Sequence, residues 1–515
     1  MSEKTLYDPA VNVSSSNAKC IRGREREYNG IFKKGQEHLL DLSYMELEER
    51  NLEVKAERIK GATSGSLRER LLKYLNEENR IKAVTVCFTD LEGSFHALDY
   101  DKKHIIRSEE NLTFDGSSIN GFTAQSESDL RLKIDWTTFR WVPADLFGPG
   151  KVLVFANVCD KDSTLYVSDF RSSLYRLCER LKNERNVMVN IAPEIEGFIF
   201  KGFKAEQNYD EKVGFELATM SGYFNSLPQD TLRLFIDKFA EVQRALAFEN
   251  EKDHPEVAPA QFELTFKYST ALDSADQIQL YKLLARQVAR SMGLTASFLP
   301  KPIQGLNGSG MHTNISLTKN GKNIFYDGKD KDSISRKAYR FIIGILSHAS
   351  ELCLVMNSSV NAYRRLDPAF EAPNEIKFSA VDRGAMIRIP IGNEDSARVE
   401  VRTVAPDSNP YLYIFSLIKA GLVGIEASKE GFKRMEDSVS QDRLEKLPID
   451  IYAALGSFVE SEFMGEIMGK ESHKKFADLK RTAADRCPRA LGIKVKSGEV
   501  LYHHEITNQL LWKNF

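Results

Sequence analysis

The sequence predicts an α+β protein, with a small β-rich unit followed by a larger one that mixes helices and short strands. Three observations carry this. Apolar segments of helical period and strands of period two follow one another without the βαβαβ rhythm of a parallel doubly wound sheet. Alternating strands are concentrated between residue 80 and about residue 160. The length, 515 residues, exceeds one ordinary core and suits two or three domains.

Residues 1 to about 45 are polar and irregular, and "IRGREREYNGIFKK" is locally basic. An N-terminal extension, partly ordered, is expected over 1–65. In "SGSLRERLLKYL", Ser66 reads as an N-cap with Glu69 completing a capping box. Leu67, Leu71, Leu72 and Leu75 then form a stripe at helical spacing. Val84, Val86 and Phe88 alternate on one face of a strand, Asp90 to Gly93 make a turn, and "KVLVFANV" closes the small domain, expected over 66–160. The second domain, 161–515, opens with the helical segments "FRSSLYRLCERLKN" and "DTLRLFIDKFAEVQRALAFE". Ile506, Leu510 and Leu511 give its C-terminal tail an apolar helix face.

Composition narrows the function classes. Lys plus Arg total 71 and Asp plus Glu 73, a net charge of −2, so bulk attraction to nucleic acid or an anionic membrane is not expected. No apolar run reaches the roughly 18 residues that span a bilayer. The six cysteines are scattered without close pairs, which fits a reducing cytoplasm rather than a disulfide framework.

The strands carry unusual polar residues. In "VMVNIAPEIEGFIF", a strand pattern interrupted by Pro193, Glu194 and Glu196 share one face. Glu256 and Glu263 flank a Pro-containing loop, and Glu263 lies in the alternating run Phe262 to Phe266. Glu400 and Arg402 share a face in "ARVEVRTVAP". His312, Asn314 and Ser316 share one in "MHTNIS". Each case alone fits a solvent-facing edge or a simple salt bridge. Together they place five carboxylates and one imidazole on strand faces, a ligand set suited to Mg²⁺ or Mn²⁺. Arg364, Arg365, Arg383 and Arg388 gather around Glu371 and suggest an anionic ligand. The glycine stretch "GLNGSGMHTNISL" has neither the lysine of a phosphate loop nor GxGxxG spacing.

As a set these residues resemble class I glutamine synthetase. The matching blocks, in the family's order, are "FDGSSINGF" (114–122), "PEIEGFIF" (193–200), "SGYF" (221–224), "HPEVAPAQFEL" (254–264), "LPKPIQGLNGSGMH" (299–312), "NAYRRLDPAFEAP" (361–373), "DRGAMIRIP" (382–390) and "RVEVRTVAPDSNPYLY" (398–413). They cover roughly residues 80 to 425. The resemblance implies an N-terminal β-grasp domain and a catalytic domain with a curved antiparallel sheet and flanking helices. It implies ATP-dependent joining of ammonia to glutamate. One divalent cation would be held by Glu196, Glu256 and Glu263, the other by Glu194, His312 and Glu400. Glutamate would lie against Asn307, Gly308, Arg365 and Arg402. ATP would lie near Glu251, Phe224, Asn314, Ser316, Arg383, Arg388 and Arg398. Asp115 and Ser118 of a neighbouring subunit, with Tyr223 and Glu256, would form the ammonium pocket, and Glu371 would lie on a flap over the intermediate. Shared sites imply a homo-oligomer, typically a dodecamer of two stacked hexameric rings.

Relatives that join glutamate to a polyamine or other amine tend to lose the ammonium-site Asp and Ser, which this chain keeps. A non-catalytic relative would not need six intact metal ligands. The chain also departs from the family pattern. It has His254-Pro255-Glu256 for "HHE", Asn314 for a histidine, and Ala260 for a glycine. It lacks the tyrosine of one subgroup's modification site and the feedback arginine of another, so neither regulatory mode is expected.

Overall fold

The computed structural model describes residues 42–124, 128–203, 205, 214–224, 230–439 and 445–485. The basic arm and the apolar face of the C-terminal tail lie outside the described residues. The architecture is α+β, as the patterning predicts.

The first sheet contains β1 (Ala83–Thr89), β2 (Phe95–Asp101), β3 (Leu112–Asp115), β4 (Asp129–Trp141) and β5 (Lys151–Cys159) in the order β2-β1-β5-β4-β3. Only β1 and β5 run parallel. Val84, Val86 and Phe88 are buried, as their alternation requires. Gly93 in the β1–β2 turn has φ 98°, and a Cβ there would come within 2.8 Å of the Asn409 backbone. That close approach lets Asn409 Nδ2 donate to the carbonyls of Asp90 and Leu91, both at 3.1 Å.

The helix Ser64–Glu77 starts earlier than the sequence suggests. Thr63, not Ser66, is the N-cap, and Ser66 closes the capping box in place of Glu69. A hydroxyl at the third helical position satisfies the cap N–H as a carboxylate would, so the chain enters the helix three residues sooner. Leu67, Leu71 and Leu75 are buried.

A helix over Tyr44–Ile59, unforeseen in the polar extension, is capped by Ser43 and Glu46. It buries only Leu47, Asn51 and Val54. Fully buried Asn51 spends its whole amide on backbone. Nδ2 donates to Trp141 O (2.9 Å) and Ala245 O (2.7 Å), and Oδ1 accepts from Trp141 N (3.0 Å). It thereby ties β4 to the helix Thr231–Ala245 of the larger unit.

The second sheet has ten strands: β6 (Val187–Lys201), β7 (Asn250–Pro255), β8 (Gln261–Phe266), β9 (Ser269–Thr270), β10 (Leu294–Ser297), β11 (Met311–Lys319), β12 (Lys322–Asn323), β13 (Glu375–Ser379), β14 (Ala385–Arg388) and β15 (Val399–Val401). The main order is β13-β14-β15-β11-β6-β8-β7. β6 is its hub. Contrary to the sequence reading, Pro193 does not interrupt it. The proline falls between the residues of β6 that pair with β9 (Asn190, Ile191) and those that pair with β8 (Glu196 to Phe198). In that gap the hydroxyls of Ser274 and Tyr281 donate to the carbonyls of Ile191 and Ile195, at 2.7 and 2.9 Å. The missing N–H is thus accommodated without ending the strand.

Long helices cover the sheet, among them Phe170–Arg185, Ala271–Ser291 and Pro410–Glu426. Where they meet the first sheet, Arg171 is buried between Asp135 (3.0 Å), Asp276 (2.8 Å) and Asn157 (2.8 Å). Tyr411 donates to Asp276 at 2.7 Å. Removing one partner of such a buried ionic set leaves a charge stranded. Among the described residues no single helix is long and apolar enough to cross a membrane.

Replacing Asn51 with alanine removes three hydrogen bonds and leaves buried backbone groups unpaired. The substitution is expected to destabilise the chain by about 2–3 kcal/mol, read as a lowered midpoint of urea unfolding.

Candidate active site

The site is assembled by strand register. Pairing of β11 with β6 sets His312 opposite Glu194. Pairing of β6 with β8 sets Glu196 opposite Glu263, and pairing of β7 with β8 sets His254 opposite Glu263. β15 brings Glu400 beside Asn314 of β11. The period-two carboxylates therefore come onto one continuous face.

Two clusters result. Glu194, His312 and Glu400 present ligand atoms that all lie within 4.8 Å of one another, and so do His254, Glu256 and Glu263. His312 Nδ1 is 3.4 Å from Glu194 and 3.8 Å from Glu400, while its Nε2 is 3.9 Å from Glu196. His312 thus stands between Glu196 on one side and Glu194 and Glu400 on the other. His254 reaches Glu256 at 3.3 Å and Glu263 at 3.5 Å. The sequence reading counted one imidazole and missed this one. The available signal was the spacing of His254 and Glu256, two apart across Pro255.

Electrostatics separate the carboxylates. Burial works against the charge of Glu194, but His312, Asn314 and Arg388 outweigh it and hold its pKa down at about 2. Glu256 goes the other way: burial, then the charges of Glu196 and Glu263, push it up to about 8. Burial also raises Glu263 despite His254 beside it. His254 is held above its ordinary value, because Glu263 and the Pro255 carbonyl outweigh the cost of burying its charge. Crowded, desolvated carboxylates with imidazoles fit a hard divalent cation at each cluster, because a cation removes the repulsion that protonation otherwise relieves.

The supporting residues are mostly polar groups locked to backbone. Gln261 Nε2 lies within hydrogen-bond distance of Glu196 Oε2 (3.2 Å), Gly308 O (3.0 Å) and Ser309 Oγ (3.3 Å), and the Gly310 N–H donates to Glu196 at 2.9 Å. Sequence reasoning passed over Gln261, although it alternates with Glu263 on β8. The glycine stretch needs its glycines for closeness. A Cβ at Gly308 would meet Pro300 O at 2.3 Å, and one at Gly310 would meet the Arg365 guanidinium at 2.5 Å. Arg365 is buried, donates to the carbonyls of Arg402, Thr403 and Val404, and is pushed down to about 10 by burial. Arg402 pairs with Glu400 at 2.6 Å and donates to Arg383 O at 3.1 Å. Arg388 lies 2.7 Å from the other oxygen of Glu400. Ala260, where the family pattern has glycine, sits at φ 60°, a left-handed conformation that costs an alanine about 1 kcal/mol or more.

Other predicted residues rim this core. Tyr223 and Phe224 are exposed and stacked, centroids 3.8 Å apart, and Phe224 lies edge-on to His254 at 5.2 Å. Burial and the charge of Glu256 raise the Tyr223 hydroxyl, which also feels Arg383, Glu263 and Glu371. Asn307 Nδ2 donates to Glu371 at 3.2 Å. Glu371 itself is left-handed, at φ 61°. Ser316 accepts from Asn190 at 3.4 Å, and Glu251 is exposed on β7. Asp115 and Ser118 stand apart. They are exposed at the end of edge strand β3, and the Asp115 carboxylate is held by Ser117 and Ser118.

Comparison with known proteins places this site in a class. Residues 168–492 match the family model described as "Glutamine synthetase, catalytic domain", and residues 80–161 match "Glutamine synthetase, beta-Grasp domain". The glutamine synthetase of Clostridium saccharobutylicum is 37% identical over 412 residues, 77% of this chain and 90% of its own length. That of Thermus thermophilus is 35% identical over 444 residues, 82% and 96% of the two chains. The solved Plasmodium falciparum glutamine synthetase shares the fold, with a TM-score of 0.71 at 24% identity, covering 81% of this chain and 95% of its own. The chain belongs to the glutamine synthetase family and is a ligase of that family.

The raised Glu256 fixes the sign of a pH effect. A carboxyl whose pKa is raised to about 8 is more protonated in the folded, metal-free chain than in the unfolded one, so metal-free stability falls as pH rises from the ordinary carboxylate range towards 8. A divalent cation displaces that proton and removes the penalty. Mn²⁺ is therefore expected to raise the melting temperature, relative to EDTA, by more at pH 8 than at pH 6. Equal shifts would contradict the assignment.

Proposed function

We propose that the chain catalyses ATP-dependent ligation of ammonia to the side-chain carboxylate of L-glutamate, giving L-glutamine, ADP and phosphate. The observation that carries this reading is the convergence of Glu194, Glu196, Glu256, Glu263, Glu400 and His312 on one sheet face beside Arg388 and Arg402. Two divalent cations, Mg²⁺ or Mn²⁺, would be held there, one by Glu194, His312 and Glu400 and the other by Glu196, Glu256 and Glu263 with His254 alongside. When bound they supply neutralisation of phosphate charge.

The chain's own residues supply orientation, charge and shelter. A carboxylate is a poor electrophile, so the glutamate side-chain oxygen first attacks the γ-phosphorus of ATP. ADP leaves and γ-glutamyl phosphate forms. Asn307, Gly308, Arg365 and Arg402 are assigned to glutamate. Phe224, Glu251, Asn314, Ser316, Arg383, Arg388 and Arg398 are assigned to ATP, with Arg383 countering charge on the transferred group. Ammonium, held by Tyr223 and Glu256 with Asp115 and Ser118 of a neighbouring copy, gives up a proton. The resulting ammonia attacks the acyl carbon, phosphate departs, and the amide loses a second proton. Glu371, bonded to Asn307, closes the site against water.

The exposed edge position of Asp115 supports donation to a second copy, and so a homo-oligomer. We assign a dodecamer of two stacked hexameric rings acting in the cytoplasm. The side chains of Val381 and Ile391, 90% and 99% exposed, are apolar surface that such an assembly would cover.

The deciding assay supplies glutamate, ATP and Mg²⁺ with ammonia, a monoamine or a polyamine in separate reactions. Amide formation with ammonia is expected. Turnover only with a larger amine would assign the site to an amine ligase instead.

A further inference from the structure

Asn314 is buried, 4% exposed, and both ends of its amide are engaged. Nδ2 donates to Glu194 Oε1 at 3.0 Å and to the carbonyl of Ala192 at 3.3 Å. Oδ1 accepts from Arg398 Nε at 3.0 Å, while Arg398 Nη1 donates to Ser396 O at 3.0 Å. The register explains the placement. Asn314 lies opposite Ala192 on β6 and opposite Glu400 on β15, two residues along the same face from His312.

These bonds divide the Glu194 carboxylate between two tasks. Oε1 is occupied by an amide donor that is itself fixed by Arg398. Oε2 faces His312 at 3.4 Å, on the side of Glu400. We infer that Asn314 is a positioning residue that holds one oxygen of Glu194 and leaves the other for the cation, biasing the site towards Mg²⁺ over Ca²⁺. Mg²⁺ demands near-ideal octahedral geometry with few carboxylate oxygens. Ca²⁺ takes six to eight oxygens and readily uses both from one carboxylate. A donor that pins Oε1 opposes the second mode. It also links the cation to Arg398, so that a cation and a guanidinium assigned to ATP are set by one amide. Asparagine suits the task because it offers a donor and an acceptor in one plane with no charge.

This inference rests on the reading that Glu194, His312 and Glu400 hold a cation, and the test separates the two. Mg²⁺ and Ca²⁺ binding to the full-length chain is titrated calorimetrically, without nucleotide, for the wild type, Asn314→Ala and Asn314→Leu. Leucine fills the space while removing every bond, so a collapsed cavity in one variant does not decide the result, and circular dichroism checks folding. Mg²⁺ binding is expected to weaken about tenfold in both variants, the scale on which groups that orient metal ligands act. Ca²⁺ binding is expected to change by less than about threefold, so the Mg²⁺/Ca²⁺ ratio falls. An unchanged ratio in folded variants overturns the role of Asn314. Absence of divalent-cation binding by the wild type instead overturns the cation reading itself.

Discussion

The site depends on one constraint: carboxylates crowded on a buried sheet face must find a compensating charge. Glu194 and Glu196 project from the same face of β6, its neighbours β8 and β11 add Glu263 and His312, and β15, beyond β11, adds Glu400. Unit charges 4 Å apart interact by about 4 kcal/mol at an effective dielectric constant of about 20. Such repulsion is large beside the stability of an ordinary domain. The chain resolves it unevenly. Glu400 is neutralised by Arg388 and Arg402, and Glu194 is supported by His312 and Asn314. Glu256 has no arginine within ion-pair distance among the described residues and is pushed towards its neutral form. The second cluster is therefore the part of the face with most to gain from a cation.

Rigid joints elsewhere make this crowding tolerable. Arg171 between Asp135 and Asp276, Asn51 between β4 and the helix Thr231–Ala245, and Asn409 against the β1–β2 turn each spend a buried polar side chain across the two sheets. Each joint uses a group whose loss would strand a buried partner, so the arrangement resists partial opening. They fix how the first sheet, with the edge strand that carries Asp115, stands against the second. The site itself is held more locally, by Gln261 on Glu196 and by Arg365 on the backbone that follows β15.

Much of the site was legible in the sequence because strand periodicity is short and strict. Two residues apart means one face, so Glu194 with Glu196 and Glu400 with Arg402 could be paired on paper. What could not be read was which strands become neighbours. His254 joins Glu263 through the β7–β8 register, a non-local fact invisible in "DHPE". Pro193 looked like a strand breaker, yet hydroxyls from a distant helix fill the gap around it. The helix Tyr44–Ile59 was missed because its buried face holds an asparagine between two apolar residues, and charges dominate the rest. Thr63 displaced Ser66 as cap because a serine can serve at either end of a capping box.

Strand register brings together two clusters in one chain, and each would hold one cation. Titrating the metal-free protein with Mn²⁺ and following free Mn²⁺ by electron paramagnetic resonance tests it directly. Two ions per chain are expected in the wild type, one for each cluster, and one after Glu263→Ala. A wild type that binds a single ion, or a Glu263→Ala variant that still binds two, would contradict it.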